Sequence, residues 1–288
     1  MTTLSYAPFA PYMDPKTAHP PGVRPLDMAD WLHRDEAYAE QMAYRDQLID
    51  QDRDVVFAVE EEAAGPAGEL FDMVKDQLAT SPGHHVNGDL TRPDGVAVPL
   101  TGDHPLALLA RMTQEDWCIL WKPEDEDEHV LIGAALLFPS RWSLAEKMGK
   151  PLIAIHQRVP QYDESLAPRV QRFFDAIQPG RALVRANWLV HTTPELHQPL
   201  TEAAKAKRDR EPKDRHYLRV ERQTLIRLPH SGAVVFGIKT VVTATEDLTI
   251  EQRVGLLKAM EDTPDTIADY HGGRAYHAAA IAALKALV

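Results

Sequence analysis

Residues 217–243 read YLRVERQTLIRLPHSGAVVFGIKTVVT, and this stretch decides the fold. Over residues 217–228, apolar side chains recur at every second position, which is typical of a β-strand with one buried face. A second apolar run starts after the turn residues Pro229 to Gly232, which have the length of a hairpin connection. The stretch therefore predicts two long antiparallel strands joined by a tight turn.

Three further strand candidates lie upstream, at residues 117–121, 130–138 and 182–191. The segment between the second and third candidates predicts two helices. The first helix begins at a capping box formed by Ser143 and Glu146, and the second carries an apolar stripe. We therefore predict an α+β fold of PAS type, in which a helical insert covers one face of a five-stranded antiparallel sheet. A pocket between helices and sheet is a usual place for a cofactor.

The segments on either side of this core predict N-terminal and C-terminal flanking helices. Apolar residues recur at helical spacing in four segments: 27–50, 68–79, 249–260 and 274–288. Residues 1–26 are rich in proline and predict an extended N-terminal arm. We therefore expect a single domain over residues 27–288, with its PAS-like core at about 116–243.

The composition narrows the class of protein. The chain has 288 residues and a formal net charge of −12, which argues against nucleic acid and anionic membranes as main partners. Cys118 is the single cysteine, so the chain alone builds no disulfide, no cysteine-based zinc site and no iron–sulfur cluster. The first residues lack a signal-peptide pattern, and the longest apolar run, 130–138, is too short for a bilayer. We therefore expect a cytoplasmic protein.

Sequence motifs for several common chemistries are missing. The chain has no Gly-x-Gly-x-x-Gly, no P-loop and no Gly-x-Ser-x-Gly, and neither Cys-x-x-Cys nor His-Glu-x-x-His occurs. If the protein takes part in redox chemistry, its electrons must therefore come from elsewhere.

The strand candidate at 217–228 has one residue that does not suit its apolar face. Arg222 interrupts the series of alternate apolar side chains, and Thr224 follows it on the same face. A buried guanidinium must be paired or must face a polar ligand. The two residues therefore indicate either a polar spot inside a pocket or an arginine paired with a carboxylate at the sheet edge. The opposite face, which includes Glu221, is interpreted as solvated or covered by helices.

Two other positions are candidates for a cofactor site. Arg185 lies on a mixed face of the strand 182–191, where it either packs on the sheet or reaches an anionic ligand. His156 ends an apolar run beside a turn, where it is placed to bind a buried metal or haem, or to be a satisfied core histidine. His191 and His197 are six residues apart, a spacing that does not form a metal pair on one helix face.

Several motifs resemble those of the haem-dependent oxidative N-demethylase α-subunit family, over roughly residues 20–275. The matching motifs are Phe138-Pro139-Ser140-Arg141-Trp142, Glu146-Lys147 with Gly149, Ile155-His156 with Val159-Pro160, Arg185-Ala186-Asn187-Trp188 followed by His191, and Leu218 to Leu225. The resemblance implies a haem-binding PAS fold with haem b. It also implies oxidation of dimethylamine to methylamine and formaldehyde with O₂, with electrons from NADPH through FMN and 2Fe–2S groups on partner subunits.

The resemblance also implies roles for individual residues. His156 is the expected proximal ligand of the haem iron, and Arg185 and His191 are expected to contact the cofactor. Arg222, with Thr224 beside it, is expected to act on the distal side, where an arginine can stabilise developing negative charge. Two alternatives stay open: a non-catalytic haem PAS sensor or gas-binding protein, and a binding protein without haem.

Overall fold

A seven-stranded antiparallel sheet forms the centre of the protein, which we describe from a computed structural model for residues 3–18, 22–124, 126–156, 167–207 and 215–288. With strands numbered along the chain, its spatial order is β1 (Arg24–Pro25), β8 (Leu183–His191), β9 (Tyr217–Arg227), β10 (Val234–Ala244), β6 (Glu115–Trp121), β7 (Val130–Ala135) and β2 (Phe57–Val59). The predicted β9–β10 hairpin and the other three predicted strands are confirmed as the contiguous middle of this sheet.

The sheet differs from the prediction at its edges, because it has seven strands and not five. The additional strand β1 pairs with β8, and the additional strand β2 pairs with β7. These strands have two and three residues, so they are too short to show an alternating pattern in the sequence. A second, smaller sheet of β3 (His85–Asn87), β4 (Asp89–Thr91) and β5 (Ala97–Val98) lies in a segment without a strand signal.

Helices surround the sheet. Within the described ranges they are α1 (Tyr38–Gln51), α2 (Arg53–Val56), α3 (Ala64–Ala79), α4 (Pro105–Met112), α5 (Leu152–His156), α6 (Ala167–Ala176), α7 (Glu202–Lys207), α8 (Ile250–Glu261), α9 (Asp265–His271) and α10 (Arg274–Leu287). The predicted flanking helices and the Thr249–Gln252 capping box of α8 are confirmed. None of the helices in the described ranges has the length and apolar character that a membrane span requires.

The first predicted helix of the insert does not form. Residues after Ser143 make a series of turns, in which the Lys147 and Met148 amides both donate to the Leu144 carbonyl. The Glu146 carboxylate, which a capping box would use at the start of this helix, instead accepts a hydrogen bond from the Glu202 amide at 3.0 Å. Helices α5 and α6 therefore supply the helical part of the insert.

The two faces of the sheet are covered by different parts of the chain. On one face, Leu225, Ile238 and Cys118 pack against Leu152 of α5 and Phe174 of α6. We call this the insert face. On the other face, Trp117, Ile119 and Ile226 pack against Trp31, α3 and α4, and Leu218 and Val220 pack against α8 and α10. Both faces of the central strands are therefore buried.

Candidate functional site

Polar side chains from two neighbouring strands form a continuous strip on the insert face. In the β8–β9 pairing, Arg185 lies opposite Gln223, Asn187 opposite Glu221 and Leu189 opposite Arg219. Directly opposed residues of an antiparallel pair point to the same side of the sheet. Leu183 and Leu225, one pair further along this side, pack within the insert core. We call Arg185, Asn187, Arg219, Glu221 and Gln223 the polar strip.

Apolar side chains of the insert and of strand β10 lie on the same side of the sheet as the polar strip. Trp142, Ile155, Phe173 and Phe236 are only half-buried, although they pack against the core of the insert face. Partly exposed aromatic side chains beside a short polar strip are typical of the lining of a ligand pocket. The insert face therefore combines an apolar wall with a few polar groups.

One basic side chain connects the insert to the sheet, and a second links two parts of the insert. Arg227, on β9, donates to the carbonyl oxygens of Phe174 at 2.7 Å and Ile177 at 2.6 Å, which are exposed at the end of α6. The Lys147 Nζ donates to the Ile155 carbonyl at 2.8 Å. This second bond fixes the backbone immediately before His156.

Two neighbouring atoms of the polar strip are buried without a hydrogen-bond partner among the described residues. They are the Nε of Arg185, a donor, and the Oε1 of Gln223, an acceptor, on residues that face each other across β8 and β9. Burial lowers the pKa of the Arg185 guanidinium from its ordinary value, and the charge of Glu221 opposes this change. Buried donors and acceptors are nearly always satisfied in native proteins, and a bound polar group or an ordered water would satisfy both atoms.

Glu221 is the one carboxylate of the polar strip, and both of its oxygens are held. Its Oε1 accepts from Arg219 Nε at 3.4 Å, and its Oε2 accepts from Gln223 Nε2 at 3.2 Å. Each carboxylate oxygen has two lone pairs, so each can accept one further donor, and the side chain keeps 14% of its surface exposed. This arrangement suits a small cation with N–H groups.

The structure places Arg222 and Thr224 on the other face of the sheet. Arg222 donates to the carbonyl oxygens of Trp31 at 3.0 Å and Asp30 at 2.5 Å. Thr224 donates weakly to the Gly237 carbonyl at 3.5 Å and lies against the space that Gly237 leaves open beside Trp117. Neither side chain reaches the insert face. The hydrogen-bond partners of Arg222 are backbone carbonyls, whereas one expectation was a carboxylate at the sheet edge. A catalytic role for the two residues stays a prediction, and their geometry is that of structural groups.

The predicted histidines occupy different ends of the site. His156 is the last residue of α5, on the insert side of the sheet, and its side chain lies outside the described part of the structure. His191 ends β8, about 20 Å along the strand from Arg185 at ~3.3 Å per residue, and its Nδ1 lies 3.2 Å from Gln198 Nε2. Among the described side chains, no group of three or more His, Cys, Asp or Glu residues is arranged to hold a metal ion. Helix α5, which ends at His156, therefore covers the face that carries Arg185, whereas His191 lies at the far end of β8.

Sequence reasoning missed Glu221 and Gln223 as site residues. Both were interpreted as part of a solvated or helix-covered face, because polar residues at every second position are typical of an exposed side of a strand. The available signal was the predicted insert: it must cover one face of the sheet, and polar side chains on the covered face need partners.

The fold and site define an α+β protein with a candidate ligand site between a helical insert and a polar strip on an antiparallel sheet. The particular family follows from comparison with known proteins. The model of the family described as haem-dependent oxidative N-demethylase, alpha subunit-like, matches residues 22–281, and the chain belongs to this family. The resemblance found in the sequence motifs is thereby confirmed. The family name indicates a haem-dependent oxidative enzyme family and an assembly with other subunits.

The residues on the insert face suit a haem. A haem needs apolar surface for its ring and donors for its anionic propionate groups. The half-buried side chains of Trp142, Phe173 and Phe236 offer apolar surface, and the buried Arg185 Nε offers a donor that nothing else among the described residues uses. Arginine pairs with carboxylates through charge-assisted hydrogen bonds, so Arg185 matches a propionate in charge.

Proposed function

We propose that this protein is the haem-carrying subunit of an oxidative N-demethylase, which oxidises a small amine such as dimethylamine with O₂. The observation that supports this function best is the polar strip under the insert. It contains one carboxylate, Glu221, and the Arg185 Nε, which has no hydrogen-bond partner among the described residues. Electrons would come from partner reductase subunits that carry NADPH, FMN and 2Fe–2S groups, since the chain has no nicotinamide fingerprint and no iron–sulfur motif.

His156 is the proposed ligand of haem b. Bound haem supplies oxidation chemistry at its iron, whereas the protein supplies binding, orientation and electrostatic environment. The bond from Lys147 to the Ile155 carbonyl fixes the end of α5, which carries His156. The chain order of two strands, a helical insert and three strands, with β6 between β7 and β10, supports a PAS-like core inside the larger sheet.

Glu221 is the proposed binding group for the amine. Simple alkylamines are protonated at neutral pH, as the lysine side chain is. A protonated secondary amine has two N–H donors, and Glu221 has one free lone-pair direction on each of its held oxygens. The apolar walls around the polar strip would pack against the methyl groups and exclude water. A carboxylate oxygen of Glu221 is also placed to accept the proton that the ammonium must release before its nitrogen lone pair is available.

The test is haem binding by the wild type and by two histidine variants, measured as haem per chain and as the Soret spectrum. We expect one haem per chain in the wild type, loss of the normal spectrum in His156→Ala, and retention in the matched variant His191→Ala, because His191 lies at the far end of β8. A wild-type protein that binds no haem from a haem-supplied expression host would overturn the proposal.

Turnover separates the enzyme from the sensor that the sequence left open. With a chemical or reductase electron donor, O₂ and dimethylamine, we expect formaldehyde to form at a rate that depends on amine concentration. Haem that changes its spectrum with gaseous ligands but never yields formaldehyde would instead favour a sensor or gas-binding protein.

A further inference from the structure

Arg219 links the polar strip to three other segments of the chain. It is 1% exposed, and its guanidinium donates to the Leu196 carbonyl at 3.1 Å and the Phe138 carbonyl at 2.5 Å. The same side chain reaches Thr240 Oγ1 at 3.4 Å and Glu221 Oε1 at 3.4 Å. The segment after β7, the segment after β8, strand β10 and the site carboxylate therefore meet at one side chain.

The charge of Arg219 is balanced mainly by Glu221. Burial lowers the pKa of the Arg219 guanidinium from its ordinary value, and the negative charges of Glu221 and, more distantly, Asp116 oppose this change. Asp116 itself forms a buried ion pair with Arg45 at 2.8 Å. Glu221 is thus the carboxylate that contacts Arg219, and the pair forms one electrostatic unit on the insert face.

We propose that Arg219 is a positioning residue, which sets the orientation of the Glu221 carboxylate and so the affinity of the site for a cationic amine. Gln223 holds Oε2 from one side and Arg219 holds Oε1 from the other, so the carboxylate has little freedom to turn. Arg219 does not touch the amine, because its donors are directed to protein acceptors. This inference rests on the proposed role of Glu221 as the amine-binding group.

The test is a double-mutant cycle on the haem-loaded protein, read as the dissociation constant for dimethylammonium by titration calorimetry. Glu221→Gln should weaken binding about tenfold or more, since it removes a charge-assisted hydrogen bond. Arg219→Gln should weaken binding about fivefold, because the carboxylate is no longer held from both sides. In the double variant the second loss should vanish, so that its affinity lies within about twofold of Glu221→Gln alone.

Two outcomes separate this inference from the proposed function. If Glu221→Gln leaves the dissociation constant unchanged, the amine does not bind at Glu221 and the proposed function loses its substrate contact. If Glu221→Gln weakens binding but Arg219→Gln weakens it by the same factor in both backgrounds, Arg219 acts only through the general fold and the inference is overturned.

Arg219→Lys keeps the test decisive if Arg219→Gln fails to fold. Lysine keeps the charge but has one nitrogen, which cannot satisfy Phe138, Leu196 and Glu221 together. We expect a weakening of about two- to fivefold that again disappears in the Glu221→Gln background. An additive loss, or no loss at all with a normal haem spectrum, would exclude a positioning role.

Discussion

Replacement of Arg222 by methionine distinguishes a structural arginine from a catalytic one. The guanidinium is 7% exposed and donates to two backbone carbonyls, those of Trp31 and Asp30, in the segment that precedes α1. Methionine fills similar volume without donors, so the variant would leave both carbonyls without their partner and would detach this segment from β9.

The magnitude follows from these contacts. Two hydrogen bonds from a charged donor contribute about 1.5–3 kcal/mol each to stability. The variant loses this contribution, but it also avoids the free-energy cost of burying a charge, which offsets part of the loss. Burial does lower the pKa of Arg222, which indicates that its desolvation is significant. We therefore expect Arg222→Met to lower the free energy of unfolding by about 3 kcal/mol.

Urea unfolding followed by tryptophan fluorescence measures this change, since Trp31 and Trp117 pack edge to face beside the altered contacts. A loss of about 3 kcal/mol shifts the midpoint by about 1 M if the slope is about 3 kcal/mol per molar urea. The folded fraction should bind haem at the wild-type stoichiometry and should still oxidise the amine.

Arg185→Met is the matched control, because Arg185 lies on the neighbouring strand but faces the insert. Its Nε makes no hydrogen bond with any of the described residues. We therefore expect the urea midpoint to stay within about 0.3 M of the wild-type value, while the affinity for haem falls. The reverse pattern would refute this reasoning: a stable Arg222→Met variant with haem but no oxidation would restore Arg222 to the catalytic role that the sequence suggested.

Two further predictions concern Arg227, which contacts the insert, and His84, a buried histidine away from the site. Arg227→Met should destabilise α6 by about 3 kcal/mol, because it removes the donors to the Phe174 and Ile177 carbonyls. Amide hydrogen exchange in residues 167–177 should then accelerate about 100-fold. Unchanged exchange would show that Arg227 does not stabilise α6. His84→Phe should raise the free energy of unfolding by about 1 kcal/mol at pH 7, since both ring nitrogens are buried without partners among the described residues; an equal or lower urea midpoint would contradict this. Burial also lowers the pKa of His84 from 6.5 to about 4, so the wild type should lose stability as the pH falls from 6.5 towards 4, and His84→Phe should lose less over the same interval.

The long strands could be predicted from the sequence because alternation over many residues is a strong signal. The β9–β10 hairpin and the order of two strands, helices and three strands follow from it. The edge strands β1 and β2 could not, because two or three residues carry no period. The turns after Ser143 were missed for a different reason: Glu146 matches a capping box in spacing, but its carboxylate serves the Glu202 amide of a distant segment.

The site was harder to predict because both faces of the central sheet are covered. On β9, one face has a single exception, Arg222, among apolar residues, and this exception attracts attention as a pocket residue. The other face, with Arg219, Glu221 and Gln223, has the composition of a solvated side, yet Arg219 and Gln223 are buried at 1% and 7% exposure. Period-two alternation separates the two faces, but it does not say which face the insert will cover.

Glu221 and Arg222 are adjacent in the Glu-Arg-Gln-Thr run of β9, but their side chains lie on opposite faces of the sheet. A Glu-Arg-Gln-Thr run in a strand sends its first and third residues to one face and its second and fourth to the other. In this protein, Glu221 and Gln223 belong to the polar strip, whereas Arg222 and Thr224 anchor the strand to the segment at Trp31 and to the neighbouring strand β10. Under the proposed function, the two halves of one motif have different tasks, ligand recognition and stability. Substitutions at alternate positions of the run should separate into two classes, with affinity changes at Glu221 and Gln223 and unfolding changes at Arg222 and Thr224.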